Sequence, residues 1–148
     1  FGTLVNRFLV QAVSGVPLTV YGRGGQKRGY LDLKDTLQCV DLAMTHPVGR
    51  GELRILNQFT EVFSVRELAE RVRAAGERIG LDVKIEHIKN PRKEKEEHYY
   101  NPAHSGLREL GLEPHAMTDD VLIEMLQTVM RYQERIDADR ILPRVSWS

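Results

Sequence analysis

The 148-residue chain is 41% hydrophobic and 28% charged, with 21 Lys and Arg residues against 21 Asp and Glu. Zero net charge excludes a nucleic-acid binder held mainly by phosphate contacts, and it excludes a long tail of one sign. The length suits one domain with a real core, while the longest apolar runs fall far short of the ~18–20 residues of a membrane span.

The chain opens at Phe1 with helix-like sequence almost at once and no signal-peptide pattern, so it reads as part of something longer. Residues 3–14 carry Leu4, Phe8 and Ala12 on one row and Val5, Leu9 and Val13 on the next, an apolar helical stripe stopped by Gly15 and Pro17. Two β-rich segments follow, Leu18–Tyr21 and Arg28–Leu33, parted by the glycine-rich stretch Gly22–Lys27, and they predict a hairpin or neighbouring strands. Asp35 is expected to cap a second helix with Leu37, Val40 and Met44 inward, closed by Pro47, Gly49 and Gly51. Leu53–Phe59 reads as a strand apolar on both faces. In a partial sheet it should be an edge strand, exposed or covered by another chain.

Ser64 and Glu67 spell a capping box for a helix presenting Val65, Leu68, Ala69, Val72 and Ile79, stopped by Gly80. Leu81–Ile88 alternates as a strand with one wet face. A charged loop runs from Lys89 to Tyr100, and Asn101-Pro102 begins a short helix ending at Gly111. Thr118 opens a last helix with Val121, Leu122, Met125, Leu126 and Val129 inward. The order is mixed α/β.

The local motifs are sparse in chemistry. Gly22-Arg23-Gly24-Gly25-Gln26-Lys27-Arg28-Gly29 has Lys where a dinucleotide fingerprint needs its third Gly, and it leads into a strand, not a helix. A glycine turn between strands is favoured over a phosphate cradle. Arg28, leaving a rigid strand, is suited to a phosphate. Tyr30 and Lys34 have the Tyr-x-x-x-Lys spacing, but in an extended segment they sit roughly 13 Å apart, which excludes a catalytic dyad. In the charged loop, Arg92 follows the stiff Asn90-Pro91 pair, and a solvated loop and a phosphate-binding loop both remain open. His46, His87, His98, His104 and His115 show no metal-ligand spacing. Cys39, the single cysteine, excludes an internal disulfide, points to a reducing compartment and reads as an inert, half-buried thiol. Arg7 is a conceivable anion contact that nothing in the sequence singles out.

Four ordered blocks carry a resemblance: Phe1-Gly2-Thr3-Leu4-Val5-Asn6-Arg7-Phe8; Val20 to Asp32; Asn57-Gln58-Phe59-Thr60-Glu61-Val62-Phe63-Ser64-Val65; and Asn90-Pro91-Arg92 with Glu96-Glu97-His98-Tyr99-Tyr100-Asn101. The second resembles the substrate-domain signature of extended short-chain dehydrogenase/reductases acting on sugar nucleotides, the NAD-dependent epimerase/dehydratase family. The Gln26-x-Arg28-Gly29-Tyr30-Leu31-Asp32, Asn-Gln-Phe-Thr-Glu and Glu-Glu-His-Tyr-Tyr-Asn forms are similar to its UDP-sulfoquinovose synthase branch. Leu112-Glu113-Pro114 and the closing Pro143-x-Val145-Ser146-Trp147 are similar too, so the resemblance covers the whole chain.

The resemblance implies an α/β fold: the C-terminal substrate-binding part of such an enzyme, spanning residues 1–148, with a terminal piece of the Rossmann sheet and without the N-terminal NAD-binding region. That branch holds NAD and converts UDP-glucose and sulfite to UDP-sulfoquinovose, the sulfolipid head-group donor, by hydride removal, dehydration, sulfite addition and hydride return. Matched by motif, Arg28 and Arg92 bind the UDP diphosphate. Thr3, Val20 and Tyr21 line the nucleotide, partly through backbone groups, and Gln26 and Glu94 attend the ribose or the nearby loop. The glycine-rich NAD turn, the catalytic Thr and the true Tyr-x-x-x-Lys pair have no counterpart here. The chain is therefore expected to carry no catalytic residue, to hold no NAD alone and to lack synthase activity by itself. Its expected partners are UDP-glucose, sulfite and the N-terminal region, with a homo-oligomer left open; its expected compartment is bacterial cytoplasm or plastid stroma. A fragment acting on another nucleotide sugar, or a non-catalytic nucleotide-sugar binding module, remains as an alternative.

Overall fold

The computed structural model describes residues 3–89 and 105–141, and the chain divides into two compact units. The first comprises residues up to Gln26, then Ser64 to the charged loop, then Thr118 onward; the second comprises Lys27–Phe63 and the segment ending at Met117.

In the first unit, α1 (Leu4–Val13) starts at Thr3, whose side chain accepts from the Asn6 amide, and it buries Val5, Phe8, Leu9, Ala12 and Val13. The stripe read from the sequence is therefore the core face, and each large apolar side chain buried there stabilises by about 1.5–3 kcal/mol. α1 packs on α3 (Val65–Arg78) and α5 (Asp119–Met130) and against β1 (Leu18–Tyr21). The capping box at Ser64 and Glu67 is formed reciprocally, and Thr118 caps α5 as expected. Leu68, Ala69, Val72, Leu122 and Leu126 are fully buried between these helices.

β1 pairs in parallel with β4 (Ile85–Ile88), from Leu18 opposite Ile85 to Tyr21 opposite Ile88. The expected hairpin is absent: β2 (Lys27–Tyr30) pairs with β3 (Glu61–Ser64), not with β1. Composition marks two adjacent strands but not their partners, which long-range packing chooses. Only Ile85–Ile88 of the expected strand Leu81–Ile88 pairs, while Val83 serves the core.

The second unit corrects more. β2 ends at Tyr30, and Asp32 caps α2 (Leu33–Thr45) by accepting from the Lys34 amide at 2.7 Å. Asp35 is therefore not the cap but a wholly buried carboxylate one turn inside. The helix is rotated from its expected face: Leu37 and Met44 are 68% and 75% exposed, and Asp35 and Cys39 point inward. Cys39, Leu107 and Leu112 form the core, joined by Leu31, Leu42 and Leu56. Leu53–Phe59 forms no strand; Leu53 and Ile55 are exposed there, and the strand comes later, as β3. Alternation alone does not make a strand where no neighbouring edge accepts its hydrogen bonds. The short helix α4 spans Gly106–Glu109, and its expected start at Asn101-Pro102 lies outside the described residues. A final turn, α6 (Ala138–Ile141), packs against α1 in the first unit.

Candidate functional site

The C-terminal end of β1 is where the first unit gathers residues carried over from the motifs. Val20 is fully buried, backbone and side chain alike, and pairs with His87 of β4, whereas Tyr21 is half-buried. The edge of β1 away from β4 is occupied by side chains of α1 in place of a strand. Gln11, itself buried, donates through Nε2 to Thr19 Oγ1 at 3.0 Å and accepts from the Thr19 amide at 3.3 Å. Arg7, one turn earlier on the same helix face, donates through Nη2 to the Thr19 carbonyl at 2.9 Å. The Arg7 guanidinium lies 5.4 Å from the Phe8 ring centroid and 5.6 Å from that of Tyr21. Burial lowers the pKa of this guanidinium, a trend that Tyr21 opposes. The Arg7 amide bonds the Thr3 carbonyl at 3.2 Å, so Arg7 also connects to the exposed Thr3.

Beyond β1 the chain turns through Gly22 and Gly24, both at positive φ. A Cβ on Gly24 would lie 2.6 Å from Val20 Cγ1 and 3.1 Å from the Arg66 amide, so glycine is needed for space and for conformation alike. The Gly22 amide donates to Ile88, and His87 Nδ1 meets the Gly22 carbonyl at 2.8 Å, which fixes the turn to β4. The turn's carbonyls are spent on α3: the Val65 amide donates to Gln26 at 3.1 Å and the Arg66 amide to Gly24 at 2.9 Å. With the Glu67 amide on Ser64 Oγ, the first three amides of α3 all have partners. A dinucleotide pyrophosphate sits on free amides at a helix N-terminus. The glycine loop and α3 therefore do not fit NAD, and the glycine-turn reading is the one this geometry matches.

In the second unit, Arg28 lies exposed on β2 with Nη1 on the Lys27 carbonyl at 2.9 Å. Tyr30 ends that strand while Lys34 belongs to the first turn of α2, so the two share no helical face. The Tyr30 ring tilts against Phe63 at 5.6 Å; its buried hydroxyl has no partner among the described residues, and burial pushes its pKa up against the lowering effect of Arg28. Asp35 accepts from the His115 amide at 2.8 Å, from His115 Nδ1 at 2.6 Å and from Gln38 Nε2 at 3.1 Å. Burial, and secondarily Asp35, push the Cys39 thiol up, which makes it a poor nucleophile at neutral pH.

Thr3, Val20, Tyr21 and Gln26 thus belong to the first unit and Arg28 to the second, while Arg92 and Glu94 lie outside the described residues. Reading the sequence passed over Gln11 and Thr19 as a pair and left Arg7 unassigned. The i, i+4 spacing of Arg7 and Gln11 on an otherwise apolar helix was the available signal. The link between Asp35 and His115 had none, since 80 residues separate the two.

This fold is that of the nucleotide-sugar epimerases and dehydratases among the extended short-chain dehydrogenase/reductases. A UDP-glucose 4-epimerase from Thermotoga maritima, solved with UDP-glucose, matches 88% of this chain and 40% of its own, at a TM-score of 0.69 and 20% identity. A UDP-glucose 4-epimerase from Thermus thermophilus, solved with NAD, matches 85% of this chain and 39% of its own, at 0.64 and 20%. Such low identities speak to fold alone, and no family model matches the chain. The amino-acid sequence is more particular. Over 99% of its length the chain is similar to UDP-sulfoquinovose synthases, with 55% identity to the chloroplastic protein of Spinacia oleracea and 45% to that of Sulfolobus acidocaldarius. It spans 30% and 38% of the lengths of those two proteins.

Proposed function

We propose that this chain is the nucleotide-sugar-binding part of a UDP-sulfoquinovose synthase, taking UDP-glucose for conversion with sulfite to UDP-sulfoquinovose. The observation that carries this reading is the 55% identity to the spinach protein across 147 residues. In this reading Thr3, Val20 and Tyr21 line the nucleotide, Gln26 and Glu94 attend the ribose, and Arg28 and Arg92 hold the diphosphate through charge-assisted hydrogen bonds. In this reading NAD and the catalytic groups belong to further polypeptide, because the glycine-rich NAD turn, the catalytic Thr and the true Tyr-x-x-x-Lys pair of such enzymes have no counterpart in these 148 residues. That polypeptide would cover exposed apolar side chains of the second unit, among them Leu33, Leu37, Met44, Leu53 and Ile55. The compartment would be bacterial cytoplasm or plastid stroma.

Calorimetric titration of UDP and UDP-glucose tests the binding half of the proposal. Arg28→Ala and Arg92→Ala should each cost on the order of 1.5–3 kcal/mol of affinity, the size of a hydrogen bond to a charged group. Unchanged affinity in both variants overturns the site. The 148 residues, given NAD, UDP-glucose and sulfite, should form no UDP-sulfoquinovose; product from this chain alone contradicts the division of labour.

A further inference from the structure

Arg7 carries an observation that core packing does not explain. Its Nε is buried and has no hydrogen-bond partner among the described residues, although the guanidinium lies within 5.6 Å of two aromatic ring centroids and bonds the Thr19 carbonyl. Among the described residues no carboxylate pairs with it. A methionine of similar reach would pack against Phe8 and Tyr21 without an unmet donor, but it would leave the carbonyl of the buried Thr19 without its partner. A guanidinium alone can do two things at once here. Its planar edge grips the backbone of β1 at Thr19, and its face holds the ring two residues on, at Tyr21. Gln11 satisfies the other backbone group of Thr19, so this strand end is fixed from α1 at both polar atoms.

We propose that Arg7 is a positioning residue of the nucleotide site, holding the Tyr21 ring and the end of β1 in the orientation that receives the nucleoside. The proposal rests on the reading of Tyr21 as a nucleotide-lining residue. Arg7 acts through that ring and touches no phosphate, which separates it from the roles of Arg28 and Arg92.

The test is an NMR titration of the chain, labelled in its tyrosine rings, with UDP and with uridine. Wild type, Arg7→Met, Arg7→Lys, Tyr21→Leu and the Arg7→Met/Tyr21→Leu double variant are compared. Arg7→Met should shift the Tyr21 ring resonances before any ligand is added and weaken UDP and uridine by the same factor, about fivefold. Arg7→Met also leaves the Thr19 carbonyl without its partner, so its melting temperature should fall; each titration is therefore run well below the variant's own melting transition, where the weakening is not a loss of fold. Arg7→Lys keeps the charge but not the planar edge and should remain weakened. In the Tyr21→Leu background, Arg7→Met should have no further effect. Wild-type affinity in Arg7→Met overturns the proposal, as does additivity in the double variant. Loss of UDP affinity with uridine unaffected overturns it in favour of a direct phosphate contact. If wild type itself binds neither ligand, the nucleotide reading fails and this proposal with it, whereas the preceding outcomes leave that reading intact.

Discussion

Asp35→Ala is the substitution whose consequence the structure defines most sharply. The carboxylate is wholly buried and accepts three hydrogen bonds: His115 amide, His115 Nδ1 and Gln38 Nε2, at 2.8, 2.6 and 3.1 Å. Leaving a buried group without its hydrogen-bond partner costs about 1–3 kcal/mol, and three donors would each lose one. The full figure does not apply. The His115 side chain is 51% exposed, so water takes over its ring bond, and deleting the carboxylate also removes its own desolvation penalty. The expected loss is about 2–4 kcal/mol, borne mainly by the amide of His115 and by Gln38. His115→Ala removes only the half-exposed ring bond and should cost about 1 kcal/mol. Asp35→Asn, which keeps one acceptor oxygen, should fall between. Urea denaturation measures the ordering, and hydrogen exchange of residues 105–117 reports the second unit directly, a safeguard for a chain of two compact units. A loss below about 1 kcal/mol for Asp35→Ala, or one no larger than that of His115→Ala, would refute the view that this carboxylate fastens the Glu113–His115 segment to α2.

Two glycines at the same φ of +69° separate conformation from space. Gly15→Ala meets nothing within 4 Å and should cost only the backbone penalty, about 1 kcal/mol, whereas Gly24→Ala also drives a methyl against Val20 and should cost about 1–3 kcal/mol more. Equal melting temperatures for the two variants would contradict the packing of the turn. The Cys39 thiol is raised by burial and then by Asp35, so in the unfolded chain it ionises at a lower pH than in the folded one. Its stabilising contribution is present in full below the unfolded value and is lost as pH rises toward the folded value. Urea midpoints should therefore fall from about pH 9 upward, and less steeply in Cys39→Ala. Native Cys39 should resist thiol reagents at neutral pH and react only on unfolding; prompt labelling of the native chain would show the side chain to be accessible.

Local chemistry made parts of this molecule legible in advance. The stripe from Val5 to Val13, the Ser64–Glu67 capping box and Thr118 before the last helix all stand where patterning puts them, because each depends on residues within one or two turns. α2 was misread for the opposite reason. Leu37, Val40 and Met44 form a better apolar stripe than Asp35 and Cys39, yet Asp35 turns inward to meet His115, a partner far along the chain. Leu53–Phe59 alternates like a strand and pairs with no strand among the described residues. Of the candidate site, Tyr21 and the glycine turn were visible as motifs. Arg7 was visible only as a charge on an apolar helix.

The amino-acid sequence by itself determined the α/β class, the starts of α3 and α5, and the ordered blocks that tie the chain to UDP-sulfoquinovose synthases. It did so because caps, periodicity and motif spacing are properties of neighbouring residues. Tertiary structure decided which strands pair, which face of α2 is inside, and that the glycine loop serves the amides of α3. It also decided that Arg7 and Gln11 take the place of a strand along β1. Each of these outcomes depends on satisfying buried polar groups across long separations, and no local pattern records which distant residue will do so.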